Sequence, residues 1–179
     1  MECSWTNQGC KGGYSFLTSK YYNEYGILPS DCYQSGSCHN QCTGRNSYLN
    51  KLKFKVKDYY FVGGYYGATT EDNMLEELQK NGPMVVSIKT IPMFYNYSYG
   101  IFSHGALKEQ EKREWQAVNH SVLLIGYGIE NGVEYWNIMN SWSVLWGQAG
   151  CAKIKKGDNI MSLGSIAEAA EVELIELNA

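Results

Sequence analysis

The residues in this chain that could carry covalent chemistry are its thiols and imidazoles, together with the groups able to orient them. There are six cysteines; Cys3, Cys10, Cys32, Cys38 and Cys42 crowd the start of the chain and Cys151 stands apart. The histidines are His39, His104 and His120. His120 has the setting that suits catalysis. It follows Asn119 at the mouth of an apolar stretch, and a second apolar stretch ends in Asn140-Ser141-Trp142. An imidazole held in orientation by a side-chain amide is half of a Cys–His–Asn nucleophilic apparatus.

Both groups must be positioned by a hairpin. Residues 121–129 and 133–139 are apolar and aromatic, and Asn131-Gly132 between them favours a tight type I′ turn. Pairing Glu130 with Val133 places Asn140 opposite Leu123. It then lies three residues along the strand from His120, about 10 Å, and on the opposite face. One β-bulge corrects both by shifting the register one residue, which allows a hydrogen bond. Gly126 and Gly128 are the expected places for it.

The remaining elements are read from periodicity. Residues 13–26 form a helix, with Leu17, Tyr21 and Tyr25 at spacing four and Gly26 as the stop. Residues 29–57 are irregular and polar, a stapled loop region around Cys32, Cys38 and Cys42. Asp58–Tyr66 reads as a strand kinked at Gly63-Gly64. Thr70 caps a helix with an apolar stripe of Met74, Leu75 and Leu78, ended by Gly82-Pro83, and a short strand follows over Met84–Thr90. Lys108–Glu114 is nearly all charged and reads as a solvated loop or helical turn, or else as a protease-accessible stretch of a precursor. The small and acidic residues of Ile166–Leu177 assign no element. Helix and loops come first and strands follow, which predicts α+β with segregated lobes rather than a βαβ sheet.

Composition narrows the partners. The 179 residues are 44% hydrophobic and 18% charged, a globular balance. The net charge of -3 offers no basic excess for nucleic acid. No apolar run approaches the roughly 20 residues a membrane helix needs. Clustered cysteines suggest disulfides and an oxidising compartment, yet Met1-Glu2-Cys3 opens without the apolar segment of a signal peptide. Either the chain is cytosolic and its cysteines are reduced or metal-bound, or it is part of a longer secreted precursor.

Three motifs then carry a family resemblance. Residues 119–128 (NHSVLLIGYG) resemble the histidine motif of the papain-like cysteine peptidases. Asn140-Ser141-Trp142, with Trp146-Gly147 and Gly150, resembles the asparagine motif, and Gln8-Gly9-Cys10-Lys11-Gly12-Gly13 the disulfide and cleft-glycine motif. Residues 59–67 (YYFVGGYYG), Asn81-Gly82-Pro83-Met84 and Ser165-Ile166-Ala167 are similar to the dipeptidyl peptidase branch, so the likeness runs over essentially the whole chain.

The resemblance implies a two-lobe α+β fold. Residues 1–57 would be a partial, disulfide-stapled helical left lobe, and 58–165 an antiparallel, β-barrel-like right lobe with the catalytic His120 and Asn140. Residues 166–179 would return to the left lobe. Trp142 and Trp146 would support the cleft, Gly12 and Gly13 would pair with substrate backbone, and Tyr14, Ser121 and Ile166 would line the second specificity pocket. The implied disulfides are Cys3–Cys38 and Cys32–Cys42.

The family's reactive cysteine, in a Gln-…-Cys-Gly-Ser-Cys-Trp segment, has no match here. It would lie upstream, or on a companion chain disulfide-linked through Cys10. Gln8-Gly9-Cys10 imitates that segment, but the following Gly12-Gly13 marks Cys10 as the structural cysteine. The implied partners are a peptide or protein substrate and that missing segment, and the implied location is lysosomal or secretory. No metal is expected. The rival zinc reading of Cys32, Cys38, His39 and Cys42 lacks paired Cys-x-x-Cys spacing. No cofactor is expected either; the branch binds chloride through a tyrosine hydroxyl, which the resemblance would imply here, but Phe61 stands at that position. Ser143 replaces a usual glycine, Cys151 a usual aromatic, and Asn159-Ile160-Met161 lacks a frequent cysteine. Asn96-Tyr97-Ser98 is a glycosylation sequon. The alternative function is a catalytically inactive, peptidase-like protein that binds peptides or partners; an unrelated disulfide-stapled binding domain is the remaining one.

Overall fold

Asn131 and Gly132 both adopt positive φ, 51° and 79°, and Glu130 pairs directly with Val133. This two-residue turn joins β4 (His120–Glu130) to β5 (Val133–Met139) in a computed structural model that describes residues 4–27, 52–105 and 118–176. The described chain divides into two units, one of residues 61–169 and one of residues 1–60 with 170–179.

In the larger unit, β2 (Met84–Ile88) pairs antiparallel with β4, β4 with β5, and β5 with β6 (Cys151–Lys155). β3 (Ile101–Phe102) runs parallel to β6. Alternation of side chains sends Met84, Val86 and Ile88 from β2 into the core, where they meet Val122, Leu124, Ile138 and Ile154 from neighbouring strands. Burying one such side chain contributes roughly 1.5–3 kcal/mol, so these strands carry much of the unit's stability. α2 (Glu71–Lys80) covers the core with fully buried Met74. Its start is fixed by a capping box: Thr70 accepts from the Asn73 N–H, and Asn73 accepts from the Thr70 N–H at 2.8 Å.

The smaller unit contains α1 (Ser15–Tyr25), ended as expected by Gly26, whose N–H donates to the Tyr22 carbonyl. It packs lightly. Phe16 meets Tyr59 edge-to-face at 4.8 Å, Asn23 donates to the Val56 carbonyl at 2.7 Å, and no residue of the helix is buried.

Three expectations are corrected. β1 runs from Leu52 to Phe61, so its first half falls in the segment read as irregular, and it stops before Gly63-Gly64 rather than kinking through them. The period-two alternation of LKFKVK is a strand signature that the nearby polar loop obscured. Gly63 and Gly64 both have φ near +97° and belong to the turn that follows. The acidic tail contains a strand, β7 (Ala167–Glu176), and β6 and the two-residue β3 were not foreseen. Finally, the sheet is an open one of order β1-β7-β2-β4-β5-β6-β3, with one parallel pair, not a barrel. Its edges are β1 and the two-residue β3, which is too short to extend a ladder around and close it.

Cys3, Cys32, Cys38, His39, Cys42 and Lys108–Glu114 lie outside the described residues, and with them the disulfide, zinc and charged-loop expectations. No helix among the described residues is long and apolar enough to cross a membrane.

Candidate active site

Pairing along the hairpin shifts between Leu124 and Gly126, leaving Ile125 as an extra residue in β4. Leu123 therefore faces Met139, and Asn140 comes one residue nearer to His120 than an unbroken ladder would place it. The two side chains meet, with His120 Nε2 and Asn140 Oδ1 2.8 Å apart. The bulge is next to Gly126, one of the two glycines expected for it. Gly128 has another reason to be glycine: a Cβ there would collide with the Tyr135 hydroxyl.

Neighbouring groups decide the protonation pattern of this pair. Asn140 Oδ1 also accepts from the backbone N–H of Ser141 at 2.8 Å. That backbone group can only donate, so the atom facing it must be the oxygen. His120 Nε2 must then be the N–H donor, and in the neutral ring Nδ1 keeps the lone pair. The pair thus presents a proton acceptor at Nδ1 while Nε2 is held.

The strands on either side anchor both residues. Asn119 donates its N–H to the Ile88 carbonyl, and Ile88 pairs with His120 across β2 and β4. Asn140 donates its N–H to the Gly150 carbonyl. The His120 ring stacks on Trp142 with centroids 4.9 Å apart and planes at 24°. Trp142 meets Trp146 edge-on at 5.2 Å, and both pack on Phe94, which is fully buried. Asn140 Nδ2 is buried and has no hydrogen-bond partner among the described residues. Tyr97 extends the cluster against Phe94 and Trp146, and burial pushes its phenol above the ordinary value.

Ser143, in the loop between Trp142 and Trp146, has φ +96°. That conformation suits glycine and costs a side-chain-bearing residue about 1–3 kcal/mol. Its Oγ accepts from the Leu145 N–H at 3.1 Å, a local contact that offsets part of the strain. Gly147 in the same loop is constrained differently: its φ is +59°, and a Cβ there would run into the Cys151 carbonyl.

Of the other predicted site residues, Ser121 is exposed beside His120, and Ile166 is 3% exposed, its carbonyl accepting from the Ser87 N–H. Gly12, Gly13 and Tyr14 belong to the smaller unit. Gly12 has φ +106° and open space around it, while a Cβ on Gly13 would run into the Asn7 side chain. Asn7 organises this loop, accepting from the Tyr14 N–H at 2.8 Å and donating to the Thr18 hydroxyl at 3.0 Å. Tyr14 itself is 65% exposed. Cys10 and Cys151 are free thiols.

Sequence reasoning passed over Asn7, Phe94 and Tyr95. The last two lie on α3 (Pro92–Tyr95), a single turn with proline at its start. Pro92 signals the start of the turn and nothing of what its aromatic residues touch.

With this geometry in place, the comparisons define first a fold and then a family. The structure of digestive procathepsin L 3 of Tenebrio molitor larval midgut matches with a TM-score of 0.74 at 26% identity, over 94% of this chain and 52% of that one. The fold is papain-like. Residues 1–173 match the papain family cysteine protease pattern, and the chain belongs to that family. It is 34% identical over 172 residues to cathepsin C of Schistosoma mansoni, covering 93% of this chain and 37% of that protein. It is 27% identical to dipeptidyl aminopeptidase 1 of Plasmodium falciparum, covering 92% of this chain and 34% of that protein. The chain thus spans about half or less of the length of the relatives it matches.

Proposed function

We propose that this chain supplies the acid–base half of a cysteine-type peptidase of dipeptidyl-peptidase character. The observation that carries this reading is the His120–Asn140 hydrogen bond with Nε2 as donor. It leaves Nδ1 able to take a proton from a thiol, giving a thiolate–imidazolium pair. The thiolate attacks the scissile carbonyl, and the imidazolium then gives its Nδ1 proton to the departing amine. Water, deprotonated at Nδ1, releases the acyl group from sulfur. Asn140 holds the ring through both halves of the cycle. Trp142, stacked on the ring, keeps water from the hydrogen bond.

No segment of this sequence matches Gln-…-Cys-Gly-Ser-Cys-Trp. The nucleophile is therefore assigned to a further segment or companion chain, bonded through Cys10, which is exposed and free. The cysteine cluster fits a lysosomal or secretory location, and the exposed Asn96 of Asn96-Tyr97-Ser98 could then accept a glycan. Gly12 and Gly13 would present backbone to the peptide substrate. Chloride is not part of this reading, because Phe61 offers no hydroxyl.

The test is reconstitution. The chain is co-expressed with a segment bearing Cys-Gly-Ser-Cys-Trp and assayed on a dipeptidyl amide. Hydrolysis that a thiol alkylator blocks, and that His120→Ala abolishes, is expected. Activity within tenfold of the parent in His120→Ala would sink the assignment. An assembled but inactive complex would favour a peptide-binding protein without turnover. Alkylator-sensitive hydrolysis by the chain alone would place the nucleophile within it.

A further inference from the structure

A closed ring of contacts runs around the imidazole and includes one residue to which the reading above gives no part. Tyr95 stacks on Trp142, with centroids 5.0 Å apart and planes at 15°. Trp142 thus stacks with both Tyr95 and His120. The Tyr95 carbonyl accepts the Trp146 indole N–H at 3.1 Å, which fixes the second tryptophan to the same turn. The Tyr95 hydroxyl lies 3.3 Å from Thr90 Oγ1. Thr90 donates both its N–H and its hydroxyl to Asn119 Oδ1, at 2.9 and 3.0 Å, and Asn119 is joined by a peptide bond to His120. With its own proton committed to Asn119, the Thr90 hydroxyl receives the Tyr95 proton.

Tyr95 is 55% exposed, so burial does not account for an aromatic ring here. It lies on a four-residue helix and has no role in the buried core. Its two attachments, ring to Trp142 and hydroxyl to Thr90, join the groups on either side of His120. From this we infer that Tyr95 is a positioning residue. It holds Trp142 flat over the imidazole and so keeps water from the Nε2–H···Oδ1 bond. The inference rests on the acid–base reading for its catalytic consequence, but the geometry can be tested without turnover.

The test uses the full chain. NMR follows the His120 Nε2 proton, its exchange with water, and the ring-current shift that Trp142 imposes on the His120 carbon-bound protons. Tyr95→Leu should speed exchange about tenfold, as expected for loss of one aromatic stack, and should reduce the ring-current shift. Tyr95→Phe keeps the ring and should restore both to within about twofold, since stacking is the larger attachment. Tyr95→Gln is a second variant that removes the ring while keeping a polar side chain at this exposed site, in case leucine compromises folding. Parent-like exchange and shift in folded Tyr95→Leu or Tyr95→Gln, or failure of Tyr95→Phe to restore them, would overturn the inference. In the reconstituted enzyme, Tyr95→Leu should lower kcat with KM unchanged. A reconstituted enzyme without activity would count against the acid–base reading, while the NMR result would still decide the role of Tyr95.

Discussion

The two units secure their functional residues in different ways. In the larger unit, His120 and Asn140 are gripped from every side: by paired strands, by backbone hydrogen bonds, and by a ring cluster rooted in fully buried Phe94. In the smaller unit, Gly12 and Gly13 lie in a loop held by the Asn7 side chain and by its own backbone bonds, ahead of a helix with no buried residue. Orienting an imidazole demands precision along a strand, and a packed sheet provides it. The backbone proposed to meet a peptide demands space, which Gly12 has, and its loop is held by the Asn7 side chain together with local backbone bonds.

The comparison breaks most readily at Phe94. Phe94→Ala removes the floor beneath both tryptophans and should cost about 3–5 kcal/mol, read as a lower midpoint in urea. If the loss is below 1 kcal/mol, the aromatic cluster is not what holds the site. Gly13→Ala should come next, because the added methyl displaces Asn7 from Tyr14 and Thr18. We expect about 1–3 kcal/mol, seen as faster amide exchange confined to residues near the loop. Ser143→Gly should act in the opposite sense and stabilise by about 1 kcal/mol, since it relieves the +96° φ. An unchanged or lower melting temperature would show that the Ser143–Leu145 contact already compensates.

A smaller effect concerns pH. The folded phenol of Tyr97 titrates above its ordinary value because it is buried. The fold thus favours the protonated form, and its contribution is complete below pH 10 and lost as pH rises through the higher folded value. Tyr97→Phe should flatten the alkaline end of the stability profile. A profile that still falls in step with the parent would assign that loss to other groups. In the native protein, amides of β2, β4 and β5 should exchange far more slowly than those of α1. Equal protection would erase the contrast between the units.

Much of the site could be read from residue order. A hairpin around Asn-Gly, a misregister of one, and a glycine beside the place that corrects it are local facts, and periodicity is a local rule. Gly26 and Thr70 ended and began helices as their chemistry requires. What escaped was nonlocal. The strand at 167–176 depends on partners far away in sequence, among them Val85 and Val86 across Glu168 and Ala167. β3 pairs two residues with β6 about fifty positions on. Tyr95 gains its place only when α3 is folded against the loop holding Trp142, and nothing in Pro-Met-Phe-Tyr announces that.

Ile125 has a consequence beyond pairing. As the surplus residue of its strand, it makes the meeting of imidazole and amide a matter of arithmetic in chain length. Deleting it would leave every donor, acceptor and ring in the molecule chemically intact, yet the two partners would face away from each other. No substitution elsewhere could repair that, because side chains change what a position does and not how many positions precede it. Within this hairpin, function is stored partly as a count.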